Sequence, residues 1–504
     1  MTSCSPSAAD FARAYDEGHG QIVWTRIVAD LETPVSAWLK IASARPYSLL
    51  LESVQGGEAR GRYSIIGLDP DFAWRCQEGH AQICRNLGSG QDHWEPVTGD
   101  ALASLRQVLA SLHMAFPSEL PPMAAGLFGY LSYDMVRGME RLPPAKPDPI
   151  GLHDAFLIRP GIIAIFDSVR ADVTLAAPVW PESGIPSEAA YAKAQDRIAR
   201  IMSAFGEPLP HGHRRPQPEP ATVTSNTKHA DYLRAVERAR EYIAAGDAFQ
   251  IVPSQRFQRP FTLPSFSLYR SLRRLNPSPF LYFLRFPEAD IVGSSPEILV
   301  RLRDGVVTIR PIAGTAPRGA TPADDEARAA NLIADPKERA EHLMLLDLGR
   351  NDVGRVAVPG TVKVTQSFAI ERYSHVMHIV SNVEGTLRDG LSAIDALVAG
   401  FPAGTLSGAP KVRAMEIINE LEPEKRGLYG GAIGYFSANG SMDTCIVLRT
   451  AIIRDGMMYV QAGGGVVADS DPEAEYQETV NKAKALFKAA EDAAIFACEG
   501  NAPL

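Results

Sequence analysis

Apolar residues in the first two hundred positions follow two rhythms. Short runs such as "YSLLLESV", "GRYSIIGL", "FLIRPGIIAIF" and "ADVTLAAPV" predict strands. "DALASLRQVLASLHMAF" and "SEAAYAKAQDRIARIMSAF" repeat their apolar positions at helical spacing and predict amphipathic helices. The Pro- and charge-rich segment 206–226, "GEPLPHGHRRPQPEPATVTSN", has no apolar period and predicts a linker. It divides a domain over 1–205 from one over 227–500. The second opens on "HADYLRAVERAREYIAAGD", a helix with Tyr232, Leu233, Val236, Tyr242 and Ile243 on its apolar face and Gly246 closing it. In "AFQIVPSQRF", Pro253 cannot donate to a ladder, so this strand is expected at an edge or with a bulge.

Two hairpins follow, "ILVRL-RDG-VVTIRP" (298–311) and "VLRTAII-RDG-MMYVQA" (447–462), each turning on Asp-Gly. Each runs through a small-residue loop, "IAGT" or "AGGGVV", to a helix carrying Glu-x-x-Glu: Glu338 and Glu341 in one, Glu475 and Glu478 in the other. The repetition predicts a duplicated unit facing itself. The first helix, "KERAEHLMLLDLGRND" (337–352), is expected to stop at its Gly-Arg-Asn-Asp. Residues three apart share a helix face, so the four glutamates converge if the helices meet. Four uncompensated carboxylates in one cleft raise each other's pKa and call for a cation. With oxygen ligands and only His342 nearby, a hard ion such as Mg2+ is favoured. The bland alternative is two solvated helix faces paired with Lys or Arg.

Gly314 and Gly463 to Gly465 leave backbone N–H groups open to a carboxylate, although such glycines otherwise serve turns. "GTLSGAPK" (404–411) lacks the Gly-Lys-Ser/Thr ending of a triphosphate loop. His378, near His375 in "YSHVMHIVSNVEG", stands in an apolar run where histidine is ordinarily a satisfied core residue. Arg449, inside the expected strand "IVLRTAII", needs a partner for its charge, and an anion in a cleft would serve.

The 504 residues are 45% hydrophobic and 22% charged, a globular composition long enough for two or three domains. A net charge of −9 argues against nucleic acid, while local cations could still hold a small anion. The five cysteines, Cys4, Cys76, Cys84, Cys445 and Cys498, are scattered without metal spacing and are expected as free thiols in a reducing compartment. No apolar run approaches the roughly 20 residues of a bilayer span. Nor does the N-terminus resemble a secretory signal, so the chain is expected in the cytoplasm, off the membrane.

The ordered motifs "LLES" (50–53), "FQIVPSQRF" (249–257), "NPSPFLYF" (276–283), "PIAGTAPRG" (311–319), "DPKERAEHLMLLDLGRNDVGRV" (335–356), "HVMHIVSNVEG" (375–385), "FPAGTLSGAPKVRAMEII" (401–418), "GLYGGAIGYF" (427–436), "DTCIVLRTAII" (443–453) and "ETVNKA" (478–483) resemble the chorismate-utilising enzymes over nearly the whole chain. The closest resemblance is to the large subunits of anthranilate synthases. It implies an α/β fold of the α+β type: two sheets packed as a sandwich, helices outside, an interleaved N-terminal regulatory domain, and chorismate in a cleft. On matching positions it implies Glu341 and Glu478 as Mg2+ ligands, with Glu338 and Glu475 in or beside the shell and the metal on the ring carboxylate. Gly314, Thr315, the amides of Gly463, Gly464 and Gly465, and Lys482 would bind substrate, with Tyr429 and Arg449 at the enolpyruvyl end. His378 and Thr405 would flank the ring near the departing hydroxyl.

Gln250 stands where relatives that add water carry a lysine base, and a neutral amide cannot deprotonate water. Ala313 stands where common aminodeoxychorismate synthases carry a nucleophilic lysine. The expected reaction is therefore amination at ring carbon 2 and loss of pyruvate, giving anthranilate, the first step of tryptophan biosynthesis. The alternatives are an aminodeoxychorismate synthase without the lysine and a silent tryptophan-binding partner of a glutaminase. The resemblance further implies feedback inhibition by L-tryptophan at Glu52, Ser53, Pro279, Phe280, Leu281, Gly434 and Tyr435, with Arg62 more peripheral. It implies ammonia from a separate glutamine amidotransferase subunit, in a heterodimer or heterotetramer. Pro253, Phe280 and Ala316 depart from the usual pattern.

Overall fold

The computed structural model describes residues 4–53, 61–88, 90, 92–209, 221–373 and 376–497. His375, Cys498 and the middle of the expected linker, 210–220, lie outside the described residues. Among the described residues the chain forms two large antiparallel sheets, of eleven and twelve strands, and both are built from the two sides of segment 206–226.

In the eleven-stranded sheet, Gln21–Val28, Asp172–Val179, Ile162–Asp167, Tyr63–Leu68 and Ser48–Glu52 lie in that order. Phe280–Phe286, Ala289–Ser295, Thr450–Arg454, Met457–Gly463, Ser254–Pro260 and Thr224–Ser225 continue it. The seam is the pairing of Leu281 with Glu52 and Phe283 with Leu50. In the second sheet the seam joins Gly126–Leu131 to Ala432–Ser437, with Tyr435 opposite Phe128.

The strands of the first sheet read as unbroken apolar runs because both faces are covered. Leu50 and Ile66 pack outward against Trp38, Phe266 and Leu268 of helices, while Leu49 and Ile65 pack inward with Phe128, Phe156 and Tyr282 between the sheets. Helices Ala101–Ser111, Pro336–Val356 and Ala393–Gly400 cover the other sheet through Leu105, Val353 and Leu397. The expected sandwich with outer helices is the observed one.

Proline marks two of the places where a strand run breaks and the chain passes to another sheet. "FLIRPGIIAIF" breaks at Pro160 into Ala155–Arg159 and Ile162–Asp167, one strand in each sheet. "AFQIVPSQRF" breaks at Val252 and Pro253: Gln250–Ile251 pairs with Gly408–Ala409, and Ser254–Pro260 enters the eleven-stranded sheet.

The helix expected to stop at Gly349 runs instead from Pro336 to Val356. A Cβ on Gly349 would sit 3.5 Å from Pro311 and 3.6 Å from Ile309, so the glycine is a packing contact. Asp352 pairs with Lys411 at 2.9 Å, and Val353 and Val356 are buried, so tertiary packing carries the helix through its weak sequence.

Candidate active site

Both Asp-Gly hairpins form, and they lie in different sheets. Asp304 and Gly305 have φ of +50° and +75°, and Asp455 and Gly456 have +51° and +74°, the left-handed pair that a two-residue hairpin turn requires. The first, Ile298–Arg303 with Val306–Ile309, belongs to the twelve-stranded sheet, and the second, Thr450–Arg454 with Met457–Gly463, to the other. "IAGT" is a strand rather than a loop. Ile312–Pro317 pairs with Val376–Thr386, and the register shift between Ala313 and Thr315 leaves Gly314 bulged at φ +67°.

Each glutamate helix opens on Asp-Pro. Asp335 accepts from the amides of Lys337 and Glu338, Asp471 from that of Ala474, and proline takes the first helical position of both. The glutamates then rise against the glycines. A Cβ on Gly314 would lie 3.0 Å from Glu338 Oε2, and one on Gly464 would lie 2.7 Å from Glu475 Oε2. Gln250 Nε2 donates to Glu341 Oε1 at 3.3 Å and itself lies 2.7 Å from where a Cβ on Gly465 would sit. Lys482 bridges Glu478 at 2.6 Å and the Gly463 carbonyl at 2.8 Å, while Lys337 reaches Asp469 at 3.3 Å and ties the two helix starts together.

The two pairs therefore lie against glycines of two segments, Glu338 at Gly314 and Glu475 at Gly464, with Gln250 linking Glu341 to Gly465. Among the described residues, however, no three acidic, His or Cys side chains stand close enough to hold a metal in these positions. The donor set still suits one. Ser470 satisfies Glu475 Oε1 at 2.7 Å, but Glu475 Oε2 is buried without a partner. Burial, with Glu478 adding, pushes the Glu475 carboxyl up, and burial, with Glu341 and Asp335 adding, does the same to Glu338. An orphaned carboxylate oxygen among all-oxygen donors fits a hard divalent cation. His342 is no part of this. It is fully buried, bonded to Ser381 at 2.7 Å, and pushed down to about 4 by desolvation.

On the far side of Gly314, His378 Nδ1 lies 3.1 Å from the Gly314 carbonyl and 3.0 Å from Thr315 Oγ1. Burial lowers its proton affinity, so the ring is neutral at pH 7, and the bond to the carbonyl assigns the proton to Nδ1 and the lone pair to Nε2. Arg449 is not inside a strand. It sits at φ +47° in the crossing from Met442–Ile446 of one sheet to Thr450–Arg454 of the other, so the change of sheets presents it to the cleft. Its charge is opposed by desolvation and supported by Glu297 and Tyr373, and no described carboxylate lies within ion-pair distance.

Glu297 is the residue that the sequence reading missed. It is 7% exposed, Thr405 Oγ1 lies 3.4 Å from both of its oxygens, and burial pushes it up to about 8, so it carries a proton at neutral pH. The available signal was a lone carboxylate in the small-residue stretch "GSSPEIL" just ahead of the first hairpin. Tyr429 is buried with its hydroxyl 2.9 Å from where a Cβ on Gly463 would lie, and desolvation pushes it up to about 12.

A separate cavity of about 800 Å3 is lined by Glu52, Ser53, Arg62, Pro279, Phe280, Leu281, Gly434 and Tyr435, all eight residues expected of an inhibitor site. Strand pairing assembles it, since Leu281 faces Glu52 across the seam. Ile298 and Arg310 line both this cavity and the small pocket beside Glu297 and Thr405.

The chorismate binding enzyme family matches the chain over residues 55–488. The chain is 57% identical to anthranilate synthase component 1 of Cereibacter sphaeroides, over 97% of this chain and 98% of that one. To the protein of the same name from Pseudomonas aeruginosa it is 48% identical, over 95% and 97%. Among solved structures, anthranilate synthase component I from Streptococcus pneumoniae superposes with a TM-score of 0.74 at 37% identity, covering 86% of this chain and 94% of that one. The menaquinone-specific isochorismate synthase of Escherichia coli shares the fold, with a TM-score of 0.69 at 19% identity over 96% and 99% of the two chains. From the glycine-backed glutamates, the crossing arginine and these relatives together, the chain belongs to the chorismate-binding enzymes and, among them, to the anthranilate synthase component I family.

Proposed function

We propose that this chain is the large subunit of an anthranilate synthase, aminating chorismate with ammonia and releasing pyruvate. The observation that carries the reading is one continuous set of neighbours. Glu338 backs Gly314, Gly314 holds His378, and Arg449 lies within electrostatic reach of both His378 and the protonated Glu297 on Thr405. A dianionic substrate suits a part-buried cation that makes no ion pair among the described residues.

Mg2+, held by Glu341 and Glu478 with Glu338 and Glu475 beside them, would neutralise a substrate carboxylate. Arg449 and Tyr429 bind the enolpyruvyl end, and the Gly463–Gly465 loop faces the remaining carboxylate oxygens, with the Gly464 amide already donating to the Pro253 carbonyl at 3.2 Å. Ammonia adds to ring carbon 2 as the hydroxyl at carbon 4 departs. That hydroxyl leaves as water with the proton of Glu297, a carboxylic acid whose raised pKa keeps it protonated at pH 7. The proton assistance expected of His378 passes to Glu297 in this reading, because His378 is neutral. The added ammonium returns one proton to the Glu297 carboxylate. The lone pair on His378 then takes the proton of carbon 2 as the bond from carbon 3 to the ether oxygen breaks, the ring becomes aromatic, and the departing enolpyruvate takes up a proton at its methylene carbon to become pyruvate. Gln250, bonded to Glu341, orders that carboxylate and cannot activate water.

The 1–205 region, interleaved through the sheets, would carry tryptophan sensing, with the inhibitor in the 800 Å3 cavity. The shared walls at Ile298 and Arg310 support coupling of the two sites. Ammonia would come from a separate glutamine amidotransferase in the cytoplasm, in keeping with the "component 1" of the relatives' names. Chorismate, Mg2+ and an ammonium salt should give fluorescent anthranilate, suppressed by L-tryptophan. A 4-aminobenzoate-type product, or none, would overturn the reading.

A further inference from the structure

One buried ion pair, Arg426 with Glu422, bonds to segments that carry residues of the cleft. Arg426 and Glu422 are 3% and 5% exposed. Arg426 Nε donates to both Glu422 oxygens at 3.1 and 2.9 Å, and Nη2 donates to Glu422 Oε1 at 2.6 Å. The rest of the fork goes to main chain: Nη1 donates to the Leu406 carbonyl at 2.6 Å, and Nη2 to the Val252 carbonyl. Glu422 Oε1 also accepts from the Ser254 amide at 2.7 Å and the Ser254 hydroxyl at 2.8 Å. The guanidinium lies 5.6 Å from the Tyr429 ring centroid and 4.8 Å from that of Tyr133.

All of these contacts but Tyr133 belong to segments that carry groups of the cleft. Leu406 follows Thr405, Val252 is two residues beyond Gln250, and Tyr429 is itself a cleft residue. Ser254 pairs with Gly463 in the sheet, and the Gly464 amide donates to Pro253 at 3.2 Å. The segments also meet directly through main chain: the Phe249 amide donates to the Ala409 carbonyl at 2.7 Å and the Val252 amide to the Ser407 carbonyl at 3.1 Å, Gln250–Ile251 makes a two-residue ladder with Gly408–Ala409, and Ile251 and Val466 exchange bonds at 3.1 and 2.8 Å. The arginine fork adds side-chain bonds to both segments. A buried ion pair is weak evidence for stability, because desolvation offsets attraction. A planar fork with fixed donor directions is strong evidence for fixed geometry.

We propose that Arg426, locked to Glu422, is a positioning residue that holds Thr405, Gln250, Tyr429 and the Gly463–Gly465 loop in one frame around the substrate. This rests on reading the cleft as the chorismate site, but the frame itself is testable without turnover. Lysine keeps the charge and cannot span Leu406, Val252 and Glu422 at once.

In the full-length enzyme, R426K should lower kcat with chorismate and ammonia by about 100-fold, the cost of an ångström-scale misplacement, and raise KM severalfold. A merely structural role would reduce the amount of active enzyme and leave KM unchanged. Hydrogen exchange read by mass spectrometry should show segments 248–254 and 403–409 losing protection together in R426K, while the Ser48–Glu52 strand keeps its own. E422Q, which preserves shape and leaves the arginine unpaired, should do the same if R426K folds poorly. Wild-type kcat and KM in folded R426K, or unchanged protection of both segments, would overturn the proposal. A wild-type protein inactive on chorismate with both segments deprotected in R426K would overturn the function and keep the frame.

Discussion

The cleft and the 800 Å3 cavity are both lined by charge, and they differ in where it is paired. In the cavity, the Glu52 and Arg62 end is already paired, whereas Arg310 Nε and Asp443 Oδ1, also in its lining, are buried without partners. Glu52 accepts from Tyr269 at 2.7 Å and from Arg273 at 2.5 and 2.9 Å, and Arg62 grips Asp167 at 3.0 and 2.7 Å. In the cleft, Glu475 Oε2 and Gln250 Oε1 are buried without partners, Arg449 is unpaired among described residues, and Glu297 holds a proton. Buried polar groups left unsatisfied lower stability, so they persist where a ligand completes them. At the Glu52 end of the cavity the paired charges leave shape and apolar contact to act on an occupant. One region is poised for chemistry and the other is preformed for binding.

The comparison can be broken first at the metal-facing carboxylates. E341Q should cut anthranilate formation by roughly 1,000-fold and weaken Mg2+ binding by calorimetry, with little change in Tm. Near wild-type activity with ammonia would remove the glutamates from the account.

A smaller loss, about 100-fold in kcat, is expected of E297Q. The wild-type rate should fall as pH rises through about 8, where Glu297 loses its proton, and the variant should lack that limb. The sign for stability follows from the raised pKa. The contribution of the neutral carboxyl is complete below the ordinary carboxylate range and is lost as pH rises through about 8. Urea unfolding at pH 9 should therefore favour E297Q over wild type, with the difference shrinking at pH 6.

In the cavity, S53F should weaken tryptophan inhibition by about 10- to 100-fold by filling space, with kcat within twofold of wild type. Unchanged inhibition would detach the cavity from tryptophan. The smallest effect is sought at E52Q. It leaves Arg273 and Tyr269 partly unsatisfied and should lower stability by about 1–3 kcal/mol, read by thermal unfolding.

Legibility differed by element in a physical way. The two Asp-Gly turns were readable because only such residues adopt two successive positive φ values cheaply. Pro160 and Pro253 were readable as interruptions, but not as the points where a strand leaves one sheet for the other, since a missing amide proton says nothing about destination. Gly349 misled, because its lack of a side chain serves a contact with Ile309 and Pro311 from elsewhere in the chain. Glu297 was invisible for the same reason: a glutamate becomes a proton donor only through burial that distant segments impose.

What the amino-acid order determined on its own was local and periodic: the hairpins, the Asp-Pro helix starts, the glutamates on shared helix faces, and the glycines able to stand beside them. What only the tertiary structure decided was mutual placement, with Arg449 at a sheet crossing, Glu297 desolvated, and the glutamates set against Gly314 and the Gly463–Gly465 loop without closing on one point. Backbone preferences act over a few residues. Burial and electrostatic environment are properties of the whole packed chain.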